Sequence, residues 1–265
     1  MIRKFGVEYH LVDSCNLRCA GCSHYSSLLD QLSYVSLETV KKEMELLFCR
    51  TENGQQLKWL RLLGGEPLLH PQVTLCLKYI RSKFPNTRIT LVTNGIKLDK
   101  MDESFYEACR DCEIAVQVTD YYIIDINKTF KLLKEKKVNV ELYRTCKTWN
   151  YQNIRITQEK FDCFTNCYHK IMCPNYRNEC IFLCPQMAYL DIFNNTFKTK
   201  IPINRNEFLN LNEINNFEEL MRKLDALHPD FCSDYCNCKG NDGNPILEGE
   251  RRRTKKDINE FCLCN

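Results

Sequence analysis

Over the first 145 residues, short β-prone runs alternate with amphipathic helical stretches, and this alternation restricts the possible folds more than any other property of the chain. The β-prone runs cover residues 7–12, 57–63, 88–92, 114–118 and 138–143. Helices are predicted between them at about residues 36–48, 71–84, 102–112 and 126–137. In the first, Ser36 offers a cap and Glu38 a first-turn carboxylate, while Val40, Met44, Leu46 and Leu47 form an apolar face. Pro85 stops the second. Strands that alternate with helices of this length make right-handed βαβ units around a parallel sheet. Spacing alone admits either a doubly wound sheet or a barrel.

The uncommon residues collect where the strands end. The loop DSCNLRCAGCSHYSS follows the first strand; Gly64, Gly65, Glu66 and Pro67 end the second. Thr93, Asn94 and Gly95 end the third, and Thr119 and Asp120 the fourth. Parallel α/β folds assemble their active sites at this end of the sheet. The alternation stops near Cys146, so the expected division is a core at 1–145, a cysteine-rich region at 146–240 and a tail at 241–265. The tail, with its Asn-Asp-Gly-Asn-Pro stretch and ERRRTKK, reads as exposed and mobile.

Charge and hydropathy exclude several classes. Lys+Arg number 37 against 34 Asp+Glu, a net charge of +3, too balanced to argue for nucleic acid or an anionic membrane. The apolar runs fall far short of the ~20 residues that span a bilayer. The N-terminus meets acidic and polar residues before a signal-like stretch forms, which points to the cytoplasm. There, 18 cysteines in 265 residues are expected to be reduced, and clustered thiols read as metal or redox sites.

Cys15, Cys19 and Cys22 stand in the spacing C-x3-C-x2-C. Three thiolates this close suit three irons of a [4Fe–4S] cube. The next cysteine is Cys49, so the fourth iron would stay open, and an open position is what separates a catalytic metal site from a closed structural one. A zinc knuckle, or three buried cysteines, is the alternative. Zinc sites usually pair C-x2–4-C twice, a form the triplet lacks.

CNLRCAGC, LLGGEPLLH and LVTNG, in that order, resemble the radical SAM superfamily over roughly residues 5–145. The resemblance implies a partial (β/α)6 TIM-like barrel and a cluster that binds S-adenosylmethionine at its open iron. It implies Cys15, Cys19 and Cys22 as ligands, and Gly64, Gly65, Glu66 and Pro67 as the edge that receives the methionine amino group. Thr93, Asn94 and Gly95 would meet the ribose or carboxylate. Thr119 or Asp120 would meet ribose hydroxyls, with a turn-forming role as the alternative. The residue before the third cysteine is usually aromatic in this family and packs the adenine; here it is Gly21, which leaves Tyr25 as a candidate. The implied chemistry is one-electron cleavage to a 5′-deoxyadenosyl radical that abstracts hydrogen from a C–H bond, with a flavodoxin- or ferredoxin-type electron donor.

Further along, NCYHKIMCPNYRNECIFLCPQMAYLDIFN and FCSDYCNC resemble the twitch extension, the shorter relative of SPASM, which holds one auxiliary [4Fe–4S] cluster and completes the barrel. The resemblance implies Cys167 and Cys184 as the first ligand pair, with Glu179 where the pattern has glycine. Cys232 and Cys236 would be the second pair. Cys173 competes with Cys167, and Cys238 with Cys236. Cys180 and Cys184 echo a ferredoxin run, but Arg177 and Pro174 occupy its earlier cysteine positions. A zinc site built on Cys232, Cys236, Cys238 and one other cysteine is the alternative. Cys49, Cys76, Cys109 and Cys112 read as small apolar residues, and Cys262 and Cys264 as either an extra metal site or no site.

Polar residues on barrel strands point to the substrate: Glu8 and His10, Gln117, Glu141 and Tyr143. The compact length and single auxiliary cluster resemble radical SAM enzymes that oxidise or epimerise small polyols, aminocyclitols and sugars. The leading expectation is thus an enzyme acting on a small hydroxylated metabolite or sugar. A peptide-modifying maturase is the runner-up, although the triplet begins too early to leave room for a leader-recognition domain. A glycyl-radical activase would need further cysteines soon after the triplet. A non-catalytic iron–sulfur or zinc protein would need a closed four-ligand site.

Overall fold

The computed structural model describes residues 5–144, 154–156, 164, 165, 167, 174–236 and 262–264. In chain order the first half runs β1 (Phe5–Val12), α1 (Leu37–Arg50), β2 (Leu57–Gly64), α2 (Val73–Lys83), β3 (Arg88–Thr93), α3 (Glu103–Asp111), β4 (Ala115–Asp120), α4 (Ile126–Glu135) and β5 (Val140–Arg144). Local chemistry sets the helix starts. The Ser36 side chain accepts the Thr39 N–H, Asp102 accepts that of Phe105, and Asp125 that of Lys128, each satisfying a donor the first turn leaves open. α4 ends where Lys137 takes a left-handed backbone.

The sheet order is β5-β4-β3-β2-β1, every pair parallel. Each strand lies beside its predecessor, whereas a doubly wound sheet reverses its order at a switch point. Alternation along the strands then sorts the two faces. Tyr9, Leu11, Leu60, Leu62, Leu91, Val116 and Val118 are buried in the main core, together with Val40, Met44 and Leu47 of α1 and Leu77 and Ile80 of α2. Glu8, Arg61, Leu63, Val92, Gln117 and Thr119 line a cavity on the other side. Helices outside and a cavity inside make a partial barrel.

The second half runs β6 (Ile154–Ile156), β7 (Asn175–Arg177), β8 (Cys180–Phe182), α5 (Pro185–Ala188), α6 (Leu190–Phe197), β9 (Leu209–Asn210), α7 (Phe217–Ala226), α8 (Asp230–Asp234) and β10 (Cys262–Cys264). A (β/α)6 barrel would carry its sixth parallel strand beyond β5. Among the described residues the sixth parallel strand is β7, on the opposite edge, pairing Glu8 with Asn175 and Tyr9 with Tyr176. β8 and β9 extend that edge antiparallel, while β6 pairs with β10 in a separate two-stranded sheet.

The β7–β8 turn carries Asn178 and Glu179, both at positive φ (51° and 61°), a type I′ arrangement that twists with the strands. Glu179 thus adopts the left-handed backbone that a glycine would offer at its position. Its N–H is held by the Glu43 carboxylate at 3.0 Å and its own carboxylate by Lys42 at 2.5 Å. Glu43 also accepts the Tyr9 hydroxyl at 2.5 Å, and its carbonyl accepts that of Tyr176 at 2.8 Å. A second apolar cluster, with Tyr25, Ile154, Tyr189, Phe193 and Phe231, joins the cysteine loop to the C-terminal region; Cys22 and Cys184 both pack against it.

Candidate active site

The cysteine loop leaves β1 and is fastened at both ends. Gly65 donates its N–H to the Val12 carbonyl at 2.8 Å and Glu66 to that of Ser14 at 3.1 Å, so the β1–β2 ladder continues into the loop. Arg18, between the first two cysteines, donates to the carbonyls of Ser27 (2.8 Å) and Leu29 (3.1 Å) and pairs with Asp30 at 3.1 Å. The loop so held turns Cys15, Cys19 and Cys22 into one cavity of about 390 Å³.

Burial raises the thiol pKa of Cys15 and Cys22. Backbone N–H groups oppose it: Leu17 donates to Cys15 Sγ at 3.3 Å, and His24, Tyr25, Ser26 and Ser27 donate to Cys22. Such donors favour a thiolate. Among the described residues no three His, Cys, Asp or Glu side chains converge on a point that one metal ion could fill. Three cysteines of one short loop lining one cavity are a donor set that can serve three irons of a cube.

Gly64 and Gly65 allow the end of β2 to pass beneath this loop. A Cβ on Gly64, whose φ is +149°, would lie 1.9 Å from the Val12 carbonyl oxygen, and one on Gly65 would lie 2.1 Å from that of Ser14. Glu66 behaves differently from the sequence-based expectation. Its carboxylate is fully buried behind the cavity wall, where Oε1 accepts the Thr93 hydroxyl (2.7 Å) and the Leu68 N–H (3.0 Å) and Oε2 accepts the Asn94 N–H (2.9 Å). Pro67 is buried too and opens a 3₁₀ turn. Gly64, Gly65, Thr93, Asn94 and Thr119 reach the cavity surface, whereas Glu66, Pro67 and Asp120 do not. Asp120 forms a turn instead, accepting the Tyr122 N–H at 2.8 Å. Asn94 spans to the cysteine loop, donating Nδ2–H to Asn16 Oδ1 at 2.8 Å.

A polar cluster lines the same cavity. Arg61 Nη1 meets Glu8 Oε1 at 3.1 Å and Nη2 meets Gln117 Oε1 at 3.5 Å. Burial raises the Glu8 pKa, and Arg61 opposes the rise. The Arg61 side chain is 38% exposed, so part of the guanidinium faces the cavity. Sequence reading picked out Glu8 and Gln117 but missed Arg61; a second charge, deep in the parallel strand LKWLRLLG between Leu60 and Leu62, was the available signal.

Other expected residues sit elsewhere. His10 is buried outside the cavity lining, stacked on Tyr189 (centroids 3.8 Å apart) with Nδ1 2.9 Å from Asp13 Oδ1. Glu141 pairs with Arg88 at 2.5 Å and Tyr143 is 58% exposed on the edge strand β5, so neither lines the cavity. Tyr25 faces away from the cavity, packed on Phe193 at 5.4 Å.

In the C-terminal region, Cys184 caps α5, Cys232 lies in α8, and Cys236 bridges to Ile154 beside the second apolar cluster. Cys167 is half-buried, and its N–H donates to the Phe164 carbonyl at 3.1 Å. Cys163, His169, Cys173 and Cys238 lie outside the described residues, as does most of the tail. Cys76, Cys109 and Cys112 are buried in the main core as expected, whereas Cys49, expected with them, is exposed on α1.

Residues 9–127 match the family description of the Radical SAM superfamily, a stretch that begins on β1, takes in the three cysteines and the Gly64–Gly65 edge, and ends in α4. A radical SAM domain thus occupies residues 9–127. The chain is 36% identical over 100 residues to a GTP 3',8-cyclase of Microcystis aeruginosa, covering 37% of its own length and 30% of the relative. A GTP 3',8-cyclase of Trichormus variabilis is 32% identical over 118 residues, covering 43% and 35%. The chain thus spans about a third of the length of these relatives. Among solved structures, BtrN in complex with AdoMet and 2-DOIA matches 54% of this chain and 58% of its own at 20% identity, with a TM-score of 0.42.

Proposed function

We propose that this radical SAM chain is an enzyme that removes hydrogen from a small hydroxylated metabolite or sugar carrying an anionic group, an oxidation or epimerisation type of reaction. When bound, the cluster and S-adenosylmethionine supply an electron and a 5′-deoxyadenosyl radical able to take hydrogen from an unactivated C–H bond. The chain's own residues do the rest. Cys15, Cys19 and Cys22 hold three irons; the Gly64–Gly65 edge, Thr93, Asn94 and Thr119 hold S-adenosylmethionine across the strand ends. Glu66 orients Thr93 and Asn94 from behind. Glu8 and Gln117 offer hydrogen bonds to substrate hydroxyls and Arg61 a charged donor to a carboxylate or phosphate. Water is kept out by Leu17, Leu63 and Val92 on the cavity wall.

The observation that carries this reading is one cavity lined both by Cys15, Cys19 and Cys22 and by the Glu8–Arg61–Gln117 cluster. Cys167, Cys184, Cys232 and Cys236 are proposed to hold an auxiliary cluster able to accept the second electron of an oxidation, with a flavodoxin- or ferredoxin-type donor supplying the first.

A second reading is a nucleotide substrate. The relatives' name, GTP 3',8-cyclase, and the cavity-facing guanidinium of Arg61 favour it. The test is a panel of sugars, sugar phosphates, aminocyclitols, nucleoside triphosphates and cysteine- or serine-containing peptides added to the anaerobically reconstituted, reduced protein. A compound of the proposed class should raise 5′-deoxyadenosine formation above the uncoupled rate. Stimulation by a nucleoside triphosphate alone supports the second reading, and stimulation by a peptide alone overturns both.

A further inference from the structure

The residue before the third cysteine is Gly21, and it lines the cavity with a left-handed backbone (φ 65°). No ring can project from that position, so an aromatic contact for a purine must come from elsewhere. Tyr25 does not supply it, because its ring is committed to Phe193 in the second apolar cluster. Two rings line the cavity among the described residues, those of His24 and Tyr121. His24 is already part of a stack, 4.8 Å from His10 and 5.6 Å from Tyr189.

Tyr121 follows Thr119 and Asp120 at the end of β4. The Asp120 carboxylate accepts the Tyr122 N–H, and Tyr122 takes a positive φ of 58°, so the turn around Tyr121 is set by its two neighbours. In the same cavity wall stand the three cysteines, Gly21, both edge glycines, Asn94 and Thr119, the groups around which S-adenosylmethionine would lie.

We infer that Tyr121 is the aromatic wall for the purine of S-adenosylmethionine, filling the role that Gly21 leaves vacant. This rests on the reading under Proposed function. It is a binding role for the ring, so the hydroxyl is dispensable and the methionine half of the ligand is untouched.

The test is anaerobic calorimetric titration of reconstituted protein with S-adenosylmethionine and, separately, with methionine, each variant matched for iron content. Tyr121→Leu should weaken S-adenosylmethionine binding roughly tenfold, the scale of one lost ring–base stack. Tyr121→Phe should bind within about twofold of the unmodified protein, as a stack requires the ring alone. Methionine should bind all three alike. If the leucine variant loses iron, Tyr121→Met, closer in bulk, is read in its place with the same expectation. Unchanged S-adenosylmethionine binding in the leucine or methionine variant overturns the inference. Equal loss of methionine binding, or a phenylalanine variant as weak as the leucine one, also overturns it. An unmodified protein that binds methionine and S-adenosylmethionine equally weakly overturns the functional reading as well, which separates the two failures.

Discussion

Glu66 Oε2 accepts the Asn94 backbone N–H at 2.9 Å, so the end of β2 holds the end of β3 from inside the protein. Asn94 in turn donates to Asn16 in the cysteine loop, and Gly65 and Glu66 donate to the carbonyls at that loop's base. Three sequence motifs far apart in the chain thus form one hydrogen-bonded unit around the cavity.

Glu66→Gln tests this unit. Glutamine keeps one acceptor oxygen for Thr93 and Leu68 but turns an NH₂ toward the Asn94 N–H, leaving a buried donor unmet at a cost of roughly 1–3 kcal/mol. The variant is expected to unfold at lower temperature and to bind S-adenosylmethionine more weakly at equal iron content. A melting temperature and affinity both equal to the unmodified protein's would refute the positioning role.

Arg18 is expected to matter more than the ion pair it makes. Asp30 is 62% exposed, and exposed pairs contribute about 0–1 kcal/mol. The bonds to the Ser27 and Leu29 carbonyls close the cysteine loop on itself. Arg18→Met should lower iron retained after desalting, whereas Asp30→Asn should leave it unchanged. Equal effects of the two would place the contribution in the ion pair.

The cysteines divide into two groups by environment. Cys76 and Cys109 lie in the apolar core, where burial pushes each thiol up to about 12, so both stay protonated at neutral pH. Cys76→Ala and Cys109→Ala should retain full iron content and visible absorbance, with some loss of stability from the cavity left behind. Loss of iron from either variant would count against the assignment of the triplet.

Stability should carry a pH signature from Glu43. Burial raises its pKa above the ordinary carboxylate value, against the opposing hydrogen bonds from the Tyr9 hydroxyl and the Glu179 N–H. A group whose pKa is higher folded than unfolded stabilises fully below the unfolded value and loses that contribution as pH rises through the folded one. Glu43→Gln removes the titration. Its melting-temperature deficit relative to the unmodified protein should therefore shrink between pH 5 and pH 8; a deficit that widens would reverse the sign of the argument.

How much of this was legible in the sequence depended on the range of the interactions involved. β1, α1, β2, α2, β3, α3, β4 and α4 follow from alternation and local caps such as Ser36 and Asp102, and the helix N-termini fall within about two residues of expectation. That the three cysteines and the glycine edge would meet around one cavity was legible because each is a short motif at a strand end. The orientation of Glu66 could not, since it depends on Thr93 and Asn94, 27 and 28 residues away. Tyr25 and Asp120 were drawn elsewhere by the apolar cluster at Phe193 and by a turn at Tyr122. The place of β7 beside β1 escaped notice because no local signal in Asn175–Arg177 names its partner strand. Arg61 was overlooked because its partners Glu8 and Gln117 are 53 and 56 residues distant.

The most direct test of the central claim is anaerobic reconstitution with iron and sulfide, followed by dithionite and S-adenosylmethionine, with 5′-deoxyadenosine and iron counted on the same sample. The unmodified protein should form 5′-deoxyadenosine with about eight irons per chain, two four-iron clusters, while Cys19→Ser forms none. About four irons with cleavage intact would remove the proposed auxiliary cluster and keep the enzyme. A fully iron-loaded protein that leaves S-adenosylmethionine uncleaved would contradict the catalytic reading.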